Sequence, residues 1–432
     1  MLIAHGVGTR ADLPLPTDYV IVGGTVAVAV SFIALGLLWR RPMLRGDATG
    51  RGLPGWLTWL GDDSAVTAVL RLATLLVLGV VIGAAFAGPR EVPRNIAPWA
   101  FYVTFWVGLV FVSLVLGPVW RRLNPLRLVH RCLRPLVGDG REPELLERLG
   151  LWPAAVSLAA FAWLELASPD RSDPRQIGTF LVVYAVVHLL AACWFGEGWF
   201  SRGDGFEVYS TLLGRLSVFG RRTDGRLVVR SPLDNADGQP ARRGLVAVVV
   251  VLVGSTAFDG LTRTLWWQNG PGSGGESDTT ALGLGLAVTV AGVAVGFVGA
   301  ATLAGRLGGY PEAASRLAHS LIPIAAGYAI AHYFSLLVFD GQTTYILASD
   351  PYGTGANWFG TSGKVVDYGV VSTRTISLVQ AVAIVTGHVV GVVLGHDRAV
   401  QLSRRHQLLA QLPLLVVMVG LTLLALVVLL GG

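Results

Sequence analysis

The chain has 432 residues, of which 53% are hydrophobic and 14% charged, a formal net charge of +6 and a mean hydropathy of +0.61. A soluble domain carries about 25% charged residues, so water is excluded as the main solvent, and the long apolar runs favour helices over a membrane barrel with its weak alternating pattern. The arginines cluster in loops beside those runs instead of forming one basic surface, which reads as a topology signal and argues against a nucleic-acid partner.

A bilayer core of about 30 Å takes roughly 20 apolar residues per helix. Runs of that length predict helices at 17–39, 65–87, 98–120, 151–168, 176–196, 243–262, 281–305, 315–338, 373–395 and 409–430. The first follows a polar start, His5 to Asp18, and continues for a full span before Arg40, which predicts a retained helix and not a cleaved signal. Arg40, Arg41, Arg45 and Arg51 follow the first span, and Arg121, Arg122, Arg127, Arg131 and Arg134 the third. Arg215, Arg221, Arg222, Arg226, Arg242 and Arg243 follow the fifth, and Arg398, Arg404 and Arg405 the ninth. Positive charge marks these loops as cytoplasmic. The alternate loops are acidic or mixed, with Asp170, Glu276, Asp278, Asp350 and Asp367.

The expectation is an all-α, polytopic integral membrane bundle of about ten transmembrane helices. It forms a single membrane domain over 1–432, with N- and C-termini outside, in a bacterial cytoplasmic membrane. The lipid bilayer is its first partner, and other membrane subunits are possible partners. A cytoplasmic loop region covers 197–242 and contains the alternating run Gly225-Arg-Leu-Val-Val-Arg230, ended by Ser231-Pro232, which could form a small hairpin or an interfacial flap. The stretch Pro125 to Leu136 could lie flat on the cytoplasmic leaflet or be a solvated connector. An extracytoplasmic loop covers 339–372. Cys132 and Cys193 both fall on the cytoplasmic side, where a structural disulfide is not expected.

Ionisable groups at membrane depth are costly and usually face a bundle interior, so chemistry is sought there first. They are Glu165, His188, Asp259, His319, His332 and His388, with His396 and Asp397 at a helix end. His319 and His332 lie about 20 Å apart along one span and cannot share a metal. His188 and His388 fall at matching depth on different helices and could be axial ligands to haem b. His319, His388, His396 and Asp397 could ligate a divalent transition metal that activates water for ester hydrolysis. The same groups with Glu165 and Asp259 could relay protons, or bind an ion or apolar small molecule in a transporter. His332, Asp259 and Tyr328 could line an outward cavity. Each histidine taken alone could equally be a buried hydrogen-bonding residue, and His396 and Asp397 could simply cap their helix.

Trp99, Trp120, Trp199, Trp266 and Trp267 lie near span ends and read as belt anchors. The Gly-rich run Gly283 to Gly299 suggests close helix packing. His5 and Asp12 could join an outer metal site or belong to an ordinary tail.

Several stretches recur together in one family. They are His5-Gly-Val-Gly-Thr-Arg-Ala-Asp-Leu-Pro14, Gly203-Asp-Gly-Phe-Glu-Val-Tyr209 with Gly214-Arg-Leu216, and Gly254 to Gly260. Ala318-His-Ser-Leu-Ile-Pro-Ile324 with Ala331-His-Tyr-Phe-Ser-Leu336, and Gly387-His-Val-Val-Gly391 with Gly395-His-Asp-Arg-Ala399, complete the set. In these the chain resembles the multi-pass, actinobacterial-type membrane proteins of the fenitrothion hydrolase family, over most of its length. The resemblance implies attack of water or hydroxide on a phosphotriester with loss of a nitrophenol. It carries no catalytic motif that transfers residue by residue, and a natural role other than pesticide hydrolysis is expected.

Overall fold

The computed structural model describes residues 17–138, 140–275, 278–403, 405 and 408–430. His5, Asp12, the motif at 5–14, Glu276 and Arg404 lie outside the described residues. Among those described, nine helices are long and apolar enough to cross a membrane. Set in chain order with a shorter one, α4, they are α1 Thr17–Leu38, α2 Ser64–Ala87, α3 Ile96–Leu116, α4 Trp152–Leu166 and α5 Pro174–Phe195. The second half holds α6 Leu245–Thr262, α7 Thr279–Gly308, α8 Ala313–Leu347, α9 Thr373–Leu402 and α10 Leu409–Val428. The short helix Pro143–Leu149 meets α4 at 60°, and the bent pair is long and apolar enough to count as a tenth, as a broken span or a re-entrant loop. Such helices suggest a membrane-embedded protein.

Polar side chains begin several of them. Asp63, Asp173, Asp278 and Ser372 accept first-turn N–H groups at the starts of α2, α5, α7 and α9, satisfying donors that no helical carbonyl can reach. Gly309, in the left-handed region at φ 73°, ends α7, a conformation that costs glycine nothing.

The helix α8 lies at the centre: 78% of its apolar window is buried, against 11% for α2 and 17% for α1 and α7. Lipid tails are as apolar as leucine, so helices in a bilayer associate through close packing and not through escape from water. That packing is visible between α8 and α9. A Cβ on Gly387 would stand 2.6 Å from the Pro323 carbonyl oxygen, one on Gly391 2.6 Å from that of Ser320, and one on Gly327 2.5 Å from that of Ala383. Glycine spaced by four residues therefore brings the two backbones together. The expected stripe in Gly283 to Gly299 packs differently: Gly292, Gly296 and Gly299 have open space where a Cβ would stand, and only Gly285 is tightly covered, by Trp267 and Phe258.

Two further expectations are corrected, and a third segment gains a definite form. The helix α8 continues to Leu347, nine residues beyond the predicted end, because the polar segment after Val338 keeps helical hydrogen bonding; the loop expected over 339–372 accordingly starts later. Trp99, Trp199 and Trp267 are buried core residues, whereas Trp266 is exposed as an anchor would be. The stretch after Asn124 is a helix, Pro125–Val137, that turns Leu126, Arg127 and His130 inward.

At the end of the bundle bearing the arginine-rich loops, strands β1 Arg51–Gly52, β2 Phe219–Arg221 and β3 Leu227–Val229 form an antiparallel sheet in the order β1-β3-β2. The hairpin expected near Gly225 is thus present, with a third strand added from the loop after α1. Both cysteines are free.

Candidate functional site

Four of the ionisable groups singled out above converge around the middle of α8. One turn before the end of α6, Asp259 turns inward to His332 of α8, with His332 Nε2 2.6 Å from Asp259 Oδ2. Arg263 lies one helical turn beyond Asp259. Its Nη2 stands 3.0 Å from the same His332 nitrogen and 3.7 Å from Asp259 Oδ1. The Tyr333 hydroxyl donates to Asp259 Oδ2 at 3.4 Å. Tyr328 stacks on the imidazole at 5.6 Å between ring centroids, and Tyr333 meets it edge-on at 4.8 Å. Asp259 and His332 are 7% and 4% exposed, so water screens the pair very little.

A single nitrogen cannot serve both neighbours at once. As N–H, His332 Nε2 donates to the Asp259 carboxylate; as a lone pair, it accepts from Arg263 or from a protonated Asp259. His332 Nδ1 has no hydrogen-bond partner, so either tautomer is open to the ring. Two arrangements of the proton therefore fit the same contact, one on Nε2 facing the carboxylate and one on the carboxyl facing the Nε2 lone pair.

Two small cavities flank it. One, of about 10 Å³, is lined by Glu165, Tyr333, Ser255, Thr256 and Trp106, and Glu165 reaches Tyr333 across it. Trp106 belongs to a wide π-type stretch, Trp99–Val107, within α3, and such insertions recur at functional positions. The second cavity, of about 20 Å³, is lined by Thr256, Tyr328, His388 and apolar residues of α10. Each is about the size of one water. His388 Nδ1 donates to the Ile384 carbonyl at 2.9 Å, which fixes the tautomer and leaves a lone pair on Nε2. Neither His388 Nε2 nor the Tyr328 hydroxyl has a hydrogen-bond partner, although both residues are buried.

The other expected residues stand elsewhere. His319 is buried near the start of α8, its Nδ1 3.1 Å from the Arg316 carbonyl and its ring against the Leu394 backbone. His396 is held by Gln411 at 2.5 Å and the Trp39 carbonyl at 2.9 Å. Asp397 accepts from Trp39 Nε1 at 2.8 Å, the Met43 N–H at 2.7 Å and Gln401 at 2.8 Å. These two side chains thus tie α9 to the segment after α1. Among the described residues no three His, Cys, Asp or Glu side chains gather in a group that could hold a metal ion, so His319, His388, His396 and Asp397 do not meet as one ligand set.

His188 and His388 do not meet either. His188 lies beside Tyr184 and Trp199, accepting from Trp199 Nε1 at Nδ1, 2.9 Å, and approaching Ser157 Oγ with Nε2 at 3.3 Å. Both its nitrogens are engaged, which leaves none for a haem iron in this arrangement.

Sequence reasoning missed Arg263 and a second buried charge cluster. Arg127 grips Glu207 through Nε at 2.8 Å and Nη2 at 2.6 Å, and Glu197 through Nη1 at 2.9 Å. Asn124 bridges to Asp204 and Glu207, and Tyr184 donates to Asp204 at 2.7 Å. Burial raises the cost of ionising Glu197, but Arg127, with Arg131 and Arg71 behind it, outweighs that and holds its carboxyl below the ordinary range. The cluster is fully paired and joins the helix Pro125–Val137 to the Gly203–Tyr209 motif.

No protein-family model, curated protein or solved structure matches the chain.

Proposed function

We propose that this is an integral membrane protein, with both termini outside, that moves protons through the bundle along α8, either as a conductor or as the proton-carrying core of a transporter for a small solute or ion. The observation that carries the proposal is the buried Asp259–His332 pair, whose shared proton can be exchanged between two arrangements. A proton arriving on Asp259 as a carboxylic acid is donated to His332 Nε2, and the ring passes its own proton from Nδ1 to a water, from which the lone pair of His388 Nε2 takes it. Tyr333, Glu165 and the Ser255–Thr256 cavity supply one way to the pair. Tyr328, Thr256 and His388 Nε2 supply the other, each gap being of a size that one water fills. Arg263 offsets the charge of the carboxylate while it is ionised.

The hydrolase implied by the family resemblance would need a metal ligand set, or a base, beside room for a phosphotriester. Of the buried histidines with an unpartnered nitrogen, His388 lines a cavity of only about 20 Å³ and His332 lines neither small cavity, whereas ligand pockets run to about 300–1000 Å³. Proton movement needs only what is there.

The test is proton flux into vesicles containing the purified protein, followed with an entrapped pH dye. Wild type should acidify the lumen under an inward gradient, and Asp259→Asn should lower the rate roughly a hundredfold, the scale of a positioned proton-transfer group. Equal rates for wild type, Asp259→Asn and protein-free vesicles would overturn the proposal.

A further inference from the structure

A larger cavity lies away from the proton site, between α6 and α7. The two helices touch where Gly254 meets Val290, a Cβ on Gly254 being 2.7 Å from the Val290 Cα. From that point toward the start of α6 they diverge, and the space between them, about 1230 Å³, is walled by Val250, Ala294 and Val298. At its far end stand Arg242 and Arg243, just before α6, and Arg306, in the last turn of α7. From Val290 to Arg306 is sixteen residues, about 24 Å of helix, longer than one leaflet of a hydrocarbon core about 30 Å thick.

Three features give the groove a chemistry. Its walls are apolar and continuous with the lipid-facing surface, where Val288 and Val295 of α7 are exposed. Its mouth carries three guanidinium groups against one lining carboxylate, Glu312; none of the three arginines forms an ion pair among the described residues. Tyr310 also lines it, and the Tyr310 hydroxyl is buried with no hydrogen-bond partner although the residue is only 6% exposed. Glu312, a non-glycine residue at φ 54°, closes the turn that carries Tyr310 against α7.

We infer that this groove holds one anionic phospholipid, with its headgroup phosphate on Arg242, Arg243 and Arg306 and an acyl chain between α6 and α7. The charge at the mouth selects the anion. Basic pockets between membrane helices bind acidic headgroups by the same combination of charge and depth. The inference rests on membrane embedding and not on proton movement.

The test is native mass spectrometry of delipidated protein in detergent, titrated with dioleoyl phosphatidylglycerol, dioleoyl phosphatidylcholine or soluble glycerol phosphate. One tightly retained phosphatidylglycerol is expected, weakened roughly a hundredfold by replacing Arg242, Arg243 and Arg306 together with Ala. Ala294→Trp, which fills the groove and leaves the arginines in place, should lose the same lipid. Replacing Arg221, Arg222 and Arg226 instead should leave it bound. Equal retention of the two lipids would overturn the headgroup site while leaving embedding intact. Glycerol phosphate binding as tightly as the lipid would show a free-phosphate site and overturn the lipid, and retention in Ala294→Trp would overturn the acyl slot.

Discussion

His332 Nε2 stands 2.6 Å from Asp259 Oδ2 in the interior of the bundle, with Arg263 Nη2 3.0 Å from the same nitrogen. One atom is thus claimed by an acceptor and a donor, and which claim prevails depends on where the proton is. If the two residues work as one unit, their substitutions are not additive. Asp259→Asn, His332→Ala and the double variant should then reduce proton flux by similar factors. A double variant slowed by the product of the single effects would show two independent sites.

Tyr328→Phe removes one hydroxyl that has no hydrogen-bond partner among the described residues. Nothing in the fold depends on that bond, so thermal stability should stay within about 0.5 kcal/mol of wild type. Proton flux should fall, because the cavity toward His388 loses its donor. Unchanged flux would remove Tyr328 and His388 from the path.

The buried cluster around Arg127 is structural. Arg127→Ala strands the Glu207 carboxylate, which is fully buried, and should lower stability by about 3–5 kcal/mol. Replacing both partners with apolar residues, Arg127→Met with Glu207→Leu, should cost much less. Denaturation of the purified protein followed by tryptophan fluorescence distinguishes the two.

Glu197 gives this cluster a pH dependence. Its carboxyl is held below its ordinary value in the folded protein, net of a burial effect in the opposite direction. Its contribution is therefore fully present above the ordinary glutamate value and is lost as the pH falls through the folded value. Since the Glu197 side chain is 48% exposed, the effect is at most about 1 kcal/mol. Melting temperatures measured downward from neutral pH should converge for wild type and Glu197→Gln in acid. A constant offset would mean that the carboxylate does not act through its charge.

Two glycine substitutions test the packing of α8 on α9. Gly391→Val drives a side chain into the Ser320 carbonyl and should cost about 1–3 kcal/mol or more. Gly296→Ala meets open space and should be neutral or stabilise its helix by about 0.5–1 kcal/mol. Folded yield in size-exclusion chromatography reads both.

Hydropathy made the spans legible, since each is a run of one character long enough to count. The same property hid the ends: the stretch after Val338 in α8 is polar, and only its backbone pairing makes it helix. Asp259, His332 and Tyr328 were visible as candidates because ionisable and aromatic groups stand out against apolar neighbours. Their contact was not, because it depends on the rotation of α6 against α8, which no single span encodes. Arg263 was overlooked as a loop residue, although its place one turn after Asp259 was the available sign. His396 and Asp397 show the opposite case, a polar pair in sequence that the fold uses to hold Trp39 and Met43.

The most direct measurement is the current carried by the reconstituted protein across a bilayer with independently set ion gradients. The account holds that the reversal potential shifts with the pH gradient, is insensitive to sodium, potassium and chloride alone, and that the current disappears in Asp259→Asn. A current that ignores pH, or one that survives intact in Asp259→Asn, would contradict it.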